Sequence, residues 1–152
     1  MKVFIDTEFN EFNGELISMS LVSENEDDPV FYKVYPIQEE YGPWVQEHVV
    51  PYLHVHEETN FSLKKYFEKL SLDNDDPNIE IIADWPDDIR HLCSEMITGP
   101  GEMIGVPWIN FTFTLERDRC EGPYKPVYEH NALSDAATNR ANYLFNTNDE
   151  EE

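Results

Sequence analysis

Cationic residues are scarce in this chain: 10 Lys and Arg stand against 32 Asp and Glu, a net charge of −22 over 152 residues. A field of that sign repels polyanions, so a basic nucleic-acid groove cannot be assumed and short or single-stranded ends are favoured over long duplexes. Cysteine is nearly absent as well. Cys93 and Cys120 lie far apart with no Cys-x-x-Cys pair, which argues against a disulfide framework or zinc knuckle and leaves two reduced, apolar-like side chains. Six Gly and 10 Pro are too few for a low-complexity chain, and no apolar run approaches the ~18 residues of a membrane span. The acid at position 6 interrupts the first apolar stretch where an export signal needs continuity, so a cytoplasmic location is the expectation.

What is present is enough apolar material for one core. Leu, Ile, Val and Phe make up about a quarter of the chain, above the roughly 20% below which a highly charged sequence stays disordered. We read a single domain over 1–146 and an acidic, disordered tail over 147–152 ending in Glu150-Glu151-Glu152. Lys2 to Asp6 is a β-rich run. Glu15 to Val22 alternates, and Asn13-Gly14 between them marks a hairpin turn. Pro29 to Tyr35 supplies a third strand of an antiparallel meander. Helical spacing follows from Trp44 to Leu53, broken by Pro51, and again from about Ser62, where Leu63, Tyr66, Phe67 and Leu70 share a face. Ile79 to Ala83 reads as a buried strand leading into a helix with Pro86 in its first turn and its end before Gly99. Trp108 to Leu115 is a further strand, and a last helix runs from about Asn131 to Leu144. The order βββ, αα, β, α, β, α predicts an α/β fold with a mixed sheet and helices on both faces.

Three groups of residues carry chemistry. In Phe4-Ile5-Asp6-Thr7-Glu8-Phe9 strand alternation puts Asp6 and Glu8 on one face, where two carboxylates can share a hard cation. In Asp84-Trp85-Pro86-Asp87-Asp88 acids gather at a strand-to-helix junction, where ligand sites of α/β sheets lie. In His130-Asn131-Ala132-Leu133-Ser134-Asp135 a histidine precedes the last helix and an acid projects from its second turn.

In this order the three groups resemble the motifs of the DEDDh 3'-5' exonucleases of the ribonuclease H-like superfamily. Asp6 and Glu8 match the first motif, Asp88 in Asp88-Ile-Arg-His-Leu92 the second, and His130 with Asp135 the third. Many members carry Asn four residues before the second-motif Asp. This chain has Asp84 there, which leaves Asp84 and Asp87 as rivals of Asp88. Further segments, Pro43 to Leu53 and Ala132 to Arg140, are similar to a compact subgroup containing the small mycobacterial exoribonuclease and bacterial and phage relatives.

The resemblance implies a ribonuclease H-like mixed sheet, with Asp6, Glu8, Asp88 and Asp135 as ligands of two Mg²⁺, or of Mn²⁺, and with His130 as general base. Four carboxylates forced together need such cations to stay ionised. The implied reaction is hydrolysis from the 3' ends of single-stranded RNA or DNA, or of short oligonucleotides, to nucleoside 5'-monophosphates. Phe9, Phe12 and Trp85 are candidates for stacking on bases, and Arg90, Arg117, Arg119 and Lys125 for phosphate contacts. His54 and His56 could take a transition metal only with further ligands nearby, and His48 and His91 read as packing or surface residues. A homodimer is a further expectation from the resemblance, and no membrane is expected as partner. A competing reading makes the chain an acidic mimic of nucleic acid that binds a basic protein without catalysis.

Overall fold

The computed structural model describes residues 1–150. It is a mixed α/β fold on one five-stranded sheet. Strands β1 (Lys2–Phe9), β2 (Leu16–Ser23) and β3 (Phe31–Val34) form the expected antiparallel meander, and β1 extends three residues further than the sequence suggested. Gly14 closes the first turn because any Cβ there would collide with the Asn10 carbonyl. After α1 (Pro43–His48), a 3-10 turn over Val50–Tyr52 absorbs Pro51, which cannot continue an α-helix. Helix α2 (Leu63–Asn74) opens on Ser62, whose hydroxyl accepts the Lys65 N–H, and closes on Asp75 in the left-handed region.

Strand β4 (Asn78–Ala83) returns parallel to β1, helix α3 (Pro86–Met96) crosses over, and the chain adds a small hairpin, β5 (Ile97–Gly99) with β6 (Glu102–Met103). Strand β7 (Asn110–Leu115) then pairs parallel with β4, giving the order β3-β2-β1-β4-β7. Helices α4 (Arg117–Cys120) and α5 (Ala132–Glu150) complete the fold. Residues 147–150, expected to be a disordered tail, continue α5 instead. Thr147 Oγ1 donates to the Tyr143 carbonyl, and Glu150 pairs with Arg119 at 3.1 Å. Residues 151 and 152 of that expected tail lie outside the described residues.

Both faces of the sheet are covered. Val3, Ile5, Met19, Leu21, Ile79 and Ile81 point to one side and pack on Tyr66, Phe67 and Leu70 of α2 and Leu92 and Met96 of α3. Phe4, Val22 and Ile82 point to the other and meet Cys120, Ala136 and Tyr143. Each fully buried side chain of this size contributes about 1.5 to 3 kcal/mol. No described helix is long and apolar enough to cross a membrane.

Candidate functional site

The site lies where β1 and β4 end and α3 and α5 begin, the position at which parallel strands leave a crevice. Period-two alternation carries Asp6 and Glu8 to the α5 side of β1. Opposite them across the ladder stand Ser20 and Ser18, small residues that leave room for the carboxylates below α5. Thr7 points the other way, toward α3. Its N–H and its hydroxyl both donate to Asp88 Oδ1, at 3.1 and 2.6 Å.

The rivals of the second motif separate in part. Asp88 is 2% exposed and groups with Asp6, whereas Asp87 is held outward by Arg90 Nε and Trp85 Nε1, each at 3.0 Å. Asp84, the first residue after β4, joins the cluster. One carboxylate oxygen from each of Asp6, Asp84 and Asp88 lies within 4.8 Å of the others, and the same holds for ligand atoms of Glu8, His130 and Asp135. Five acids and one imidazole therefore form two adjoining groups. His54 and His56 belong to neither; His56 Nε2 lies 3.4 Å from Ser134 Oγ.

The electrostatics follow from this crowding. Burial, then the charges of Asp88 and Glu8, pushes the Asp6 carboxyl well above the ordinary range. Burial does the same to Glu8, reinforced by Asp135. Asp88 is raised by burial despite the Thr7 hydrogen bonds. Asp135 is pushed up to about 7, again chiefly by burial. Asp6 Oδ2 and Asp88 Oδ2 are buried with no hydrogen-bond partner. A buried, unpaired carboxylate oxygen is costly, and a bound cation is one way such oxygens are satisfied. The donor set, carboxylate oxygens with one imidazole, suits divalent ions of the Mg²⁺ and Mn²⁺ kind.

His130 sits at the mouth of the cleft in the left-handed region, φ 64°. Its N–H donates to Asp135 Oδ2 at 3.1 Å, tying the loop to the helix it precedes. Trp44 meets its ring edge-on at 4.9 Å and stacks on His48 at 4.5 Å. His48, expected to be packing or surface, thus props the wall behind His130. The cleft is small, about 200 Å³, and Asp6, Asp84, Glu129, His130, Asp135 and Asn139 are among its lining residues.

Asn131 was visible in the sequence only as the start of a helix, and it anchors this loop. Its Oδ1 accepts the Leu133 and Ser134 N–H groups, while its Nδ2 donates to Tyr32 Oη and the Tyr52 carbonyl. Asn131→Ala removes the cap and leaves buried partners unpaired, so a loss of about 2 to 4 kcal/mol is expected in urea unfolding. A loss under 0.5 kcal/mol contradicts the anchoring role.

The aromatic candidates separate. Phe9 is half-buried and rests on His91 at 5.2 Å. Phe12 is 92% exposed at the hairpin tip, outside any core. Trp85 is half-exposed, with the Arg117 guanidinium 5.7 Å from its ring centre. Arg90, Arg117 and Arg119 each pair with an acid, and Lys125 forms no ion pair among the described residues. No protein-family model and no curated protein matches the chain.

Proposed function

We propose that the chain is a metal-dependent 3'-5' exonuclease acting on single-stranded RNA or short oligonucleotide ends and releasing nucleoside 5'-monophosphates. The observation that carries this reading is the pair of adjoining ligand groups, with the orphaned oxygens of Asp6 and Asp88 at their centre. A meander of three antiparallel strands continued by two parallel ones supports the ribonuclease H-like reading of the fold.

Asp6 and Asp88 would hold one divalent cation and Glu8 with Asp135 a second. When bound, such a pair neutralises the acids, activates a water and stabilises the leaving 3' oxygen. The protein does the rest. Burial of the carboxylates excludes bulk water and fixes their positions, and Thr7 keeps Asp88 from turning away. His130, within reach of Glu8 and Asp135, accepts a proton from the attacking water on an imidazole nitrogen. Phe9, next to Glu8 in the chain, and Trp85, next to Asp84, are the aromatics that would stack on terminal bases. All four arginines pair with acids, which fits a substrate that offers few phosphates at a time. An acidic mimic, by contrast, has no use for carboxylates turned inward.

Two experiments follow. Chromatography of the products must yield nucleoside 5'-monophosphates; 3'-phosphates or internal fragments would refute the assignment. His130→Asn keeps a residue that tolerates positive φ and is expected to lower the cleavage rate about 10² to 10⁴-fold with little change in stability. Cleavage within threefold of wild type would remove His130 from the mechanism.

A further inference from the structure

The cleft holds one more carboxylate than the resemblance supplies. Where many of those enzymes carry a neutral amide, this chain has Asp84, half-buried at the end of β4 and lining the cleft. We propose that Asp84 is a cation ligand and that Asp6, Asp84 and Asp88 form a three-carboxylate site for a hard divalent ion. The proposal rests on the two-cation reading of the site and adds a ligand to it.

Three independent observations converge. The carboxylate oxygens of the three residues lie within 4.8 Å of one another. Two ligands of one ion held at about 2.1 to 2.4 Å lie at most about 4.2 to 4.8 Å apart, so three oxygens within that limit can share one coordination sphere. Asp6 Oδ2 and Asp88 Oδ2, both buried, find no protein partner. Finally, among the described residues no Lys, Arg or His forms an ion pair with Asp84: Arg90 pairs with Asp87 and Arg117 with Glu121. A carboxylate held among carboxylates without a protein cation is stabilised only by one from solvent. The Asp in place of an amide adds a full negative charge to this group, which raises cation affinity and favours small, hard ions over soft ones.

The test is calorimetric titration of the full chain with MnCl₂, wild type beside Asp84→Asn, Asp84→Ala and Asp87→Asn. Wild type is expected to bind two Mn²⁺ per chain. Both Asp84 variants are expected to weaken one of the two at least tenfold and to leave the other within twofold. Asp87→Asn removes the same charge one helical turn away from the cleft and is expected to leave both within twofold. Thermal unfolding without metal serves as the folding control, since Asn matches Asp in size. Unchanged Mn²⁺ binding in the Asp84 variants overturns the proposal, as does an equal loss in Asp87→Asn, which would mark a general field effect. Neither result touches the nuclease reading, which stands or falls on cleavage by the wild type. Conversely, Asp84-dependent binding in a chain that degrades no nucleic acid would sink the nuclease reading alone.

Discussion

Asp6→Asn is expected to abolish cleavage, at least 10³-fold, and at the same time to stabilise the metal-free protein. The two effects share one cause. Asp6 is buried against Asp88, Glu8, Asp135 and Asp84, all of which push its carboxyl toward the protonated form. Asparagine keeps the shape and removes one carboxylate from a crowded group of acids. Removing like-charge repulsion and desolvation cost at such a position is worth about 1 to 3 kcal/mol, or roughly 2 to 10 °C in Tm for a chain of this size. The same change takes away a cation ligand and with it the stabilisation of charge in the transition state. A structural carboxylate would behave the other way, losing stability with activity. Thermal unfolding in EDTA and cleavage with Mg²⁺ measure the two halves separately, and a destabilised Asp6→Asn protein contradicts the account.

The second large effect is a fall in stability of the metal-free protein as pH rises. Asp6, Glu8, Asp88 and Asp135 all have folded-state pKa values above their unfolded ones. Folding therefore takes up protons between the two values, and stability drops as pH rises through that window. The window opens near the ordinary carboxyl values of 3.8 and 4.5 and extends to about 7 for Asp135, with Asp6, Glu8 and Asp88 shifted in the same direction. Asp135 alone accounts for a change on the order of 4 kcal/mol. Tm in EDTA is expected to fall by roughly 10 °C or more between pH 4.5 and 7.5. Mg²⁺ should flatten the curve and raise Tm most at the high end, because cations replace the lost protons. Asp76, paired with the N-terminus, and Asp87 shift downward and oppose the trend, but both lie at the surface. Distributed repulsion from the net charge also destabilises at high pH. Asp135→Asn separates the causes: it should remove part of the slope, which surface repulsion alone would leave intact. A Tm in EDTA that stays flat across this range is incompatible with a crowded, ionising cluster.

The legible part of this molecule is the part governed by short periods. Alternation placed Asp6 and Glu8 on one face of β1, and Pro86 marked the first turn of α3. Which acid of the second motif enters the cleft was not legible. Asp84, Asp87 and Asp88 sit within five residues, and their fates are decided by Thr7, by Arg90 and Trp85, and by the end of β4. Of these, Thr7 lies 81 residues from Asp88. The hairpin β5–β6 and helix α4 escaped because they are two to four residues long and mostly exposed, so neither carries a periodic pattern. The length of α5 escaped for another reason. Its polar last turns are held by Asn146 reaching the Arg119 and Glu121 carbonyls and by Glu150 meeting Arg119, contacts with α4 and the segment just after it. Asn131 likewise marked only the start of a helix, because its bonds to Tyr32 and Tyr52 span 99 and 79 residues.

The most direct measurement is digestion of single-stranded RNA and DNA oligonucleotides labelled at the 5' end, with Mg²⁺, with Mn²⁺ and with EDTA, wild type beside Asp6→Asn. The account predicts a ladder that shortens one nucleotide at a time from the 3' end, present with either metal and absent with EDTA and in the variant. An intact label in every lane, from folded protein that also binds no divalent ion, would contradict it and turn the acidic surface toward a basic protein partner.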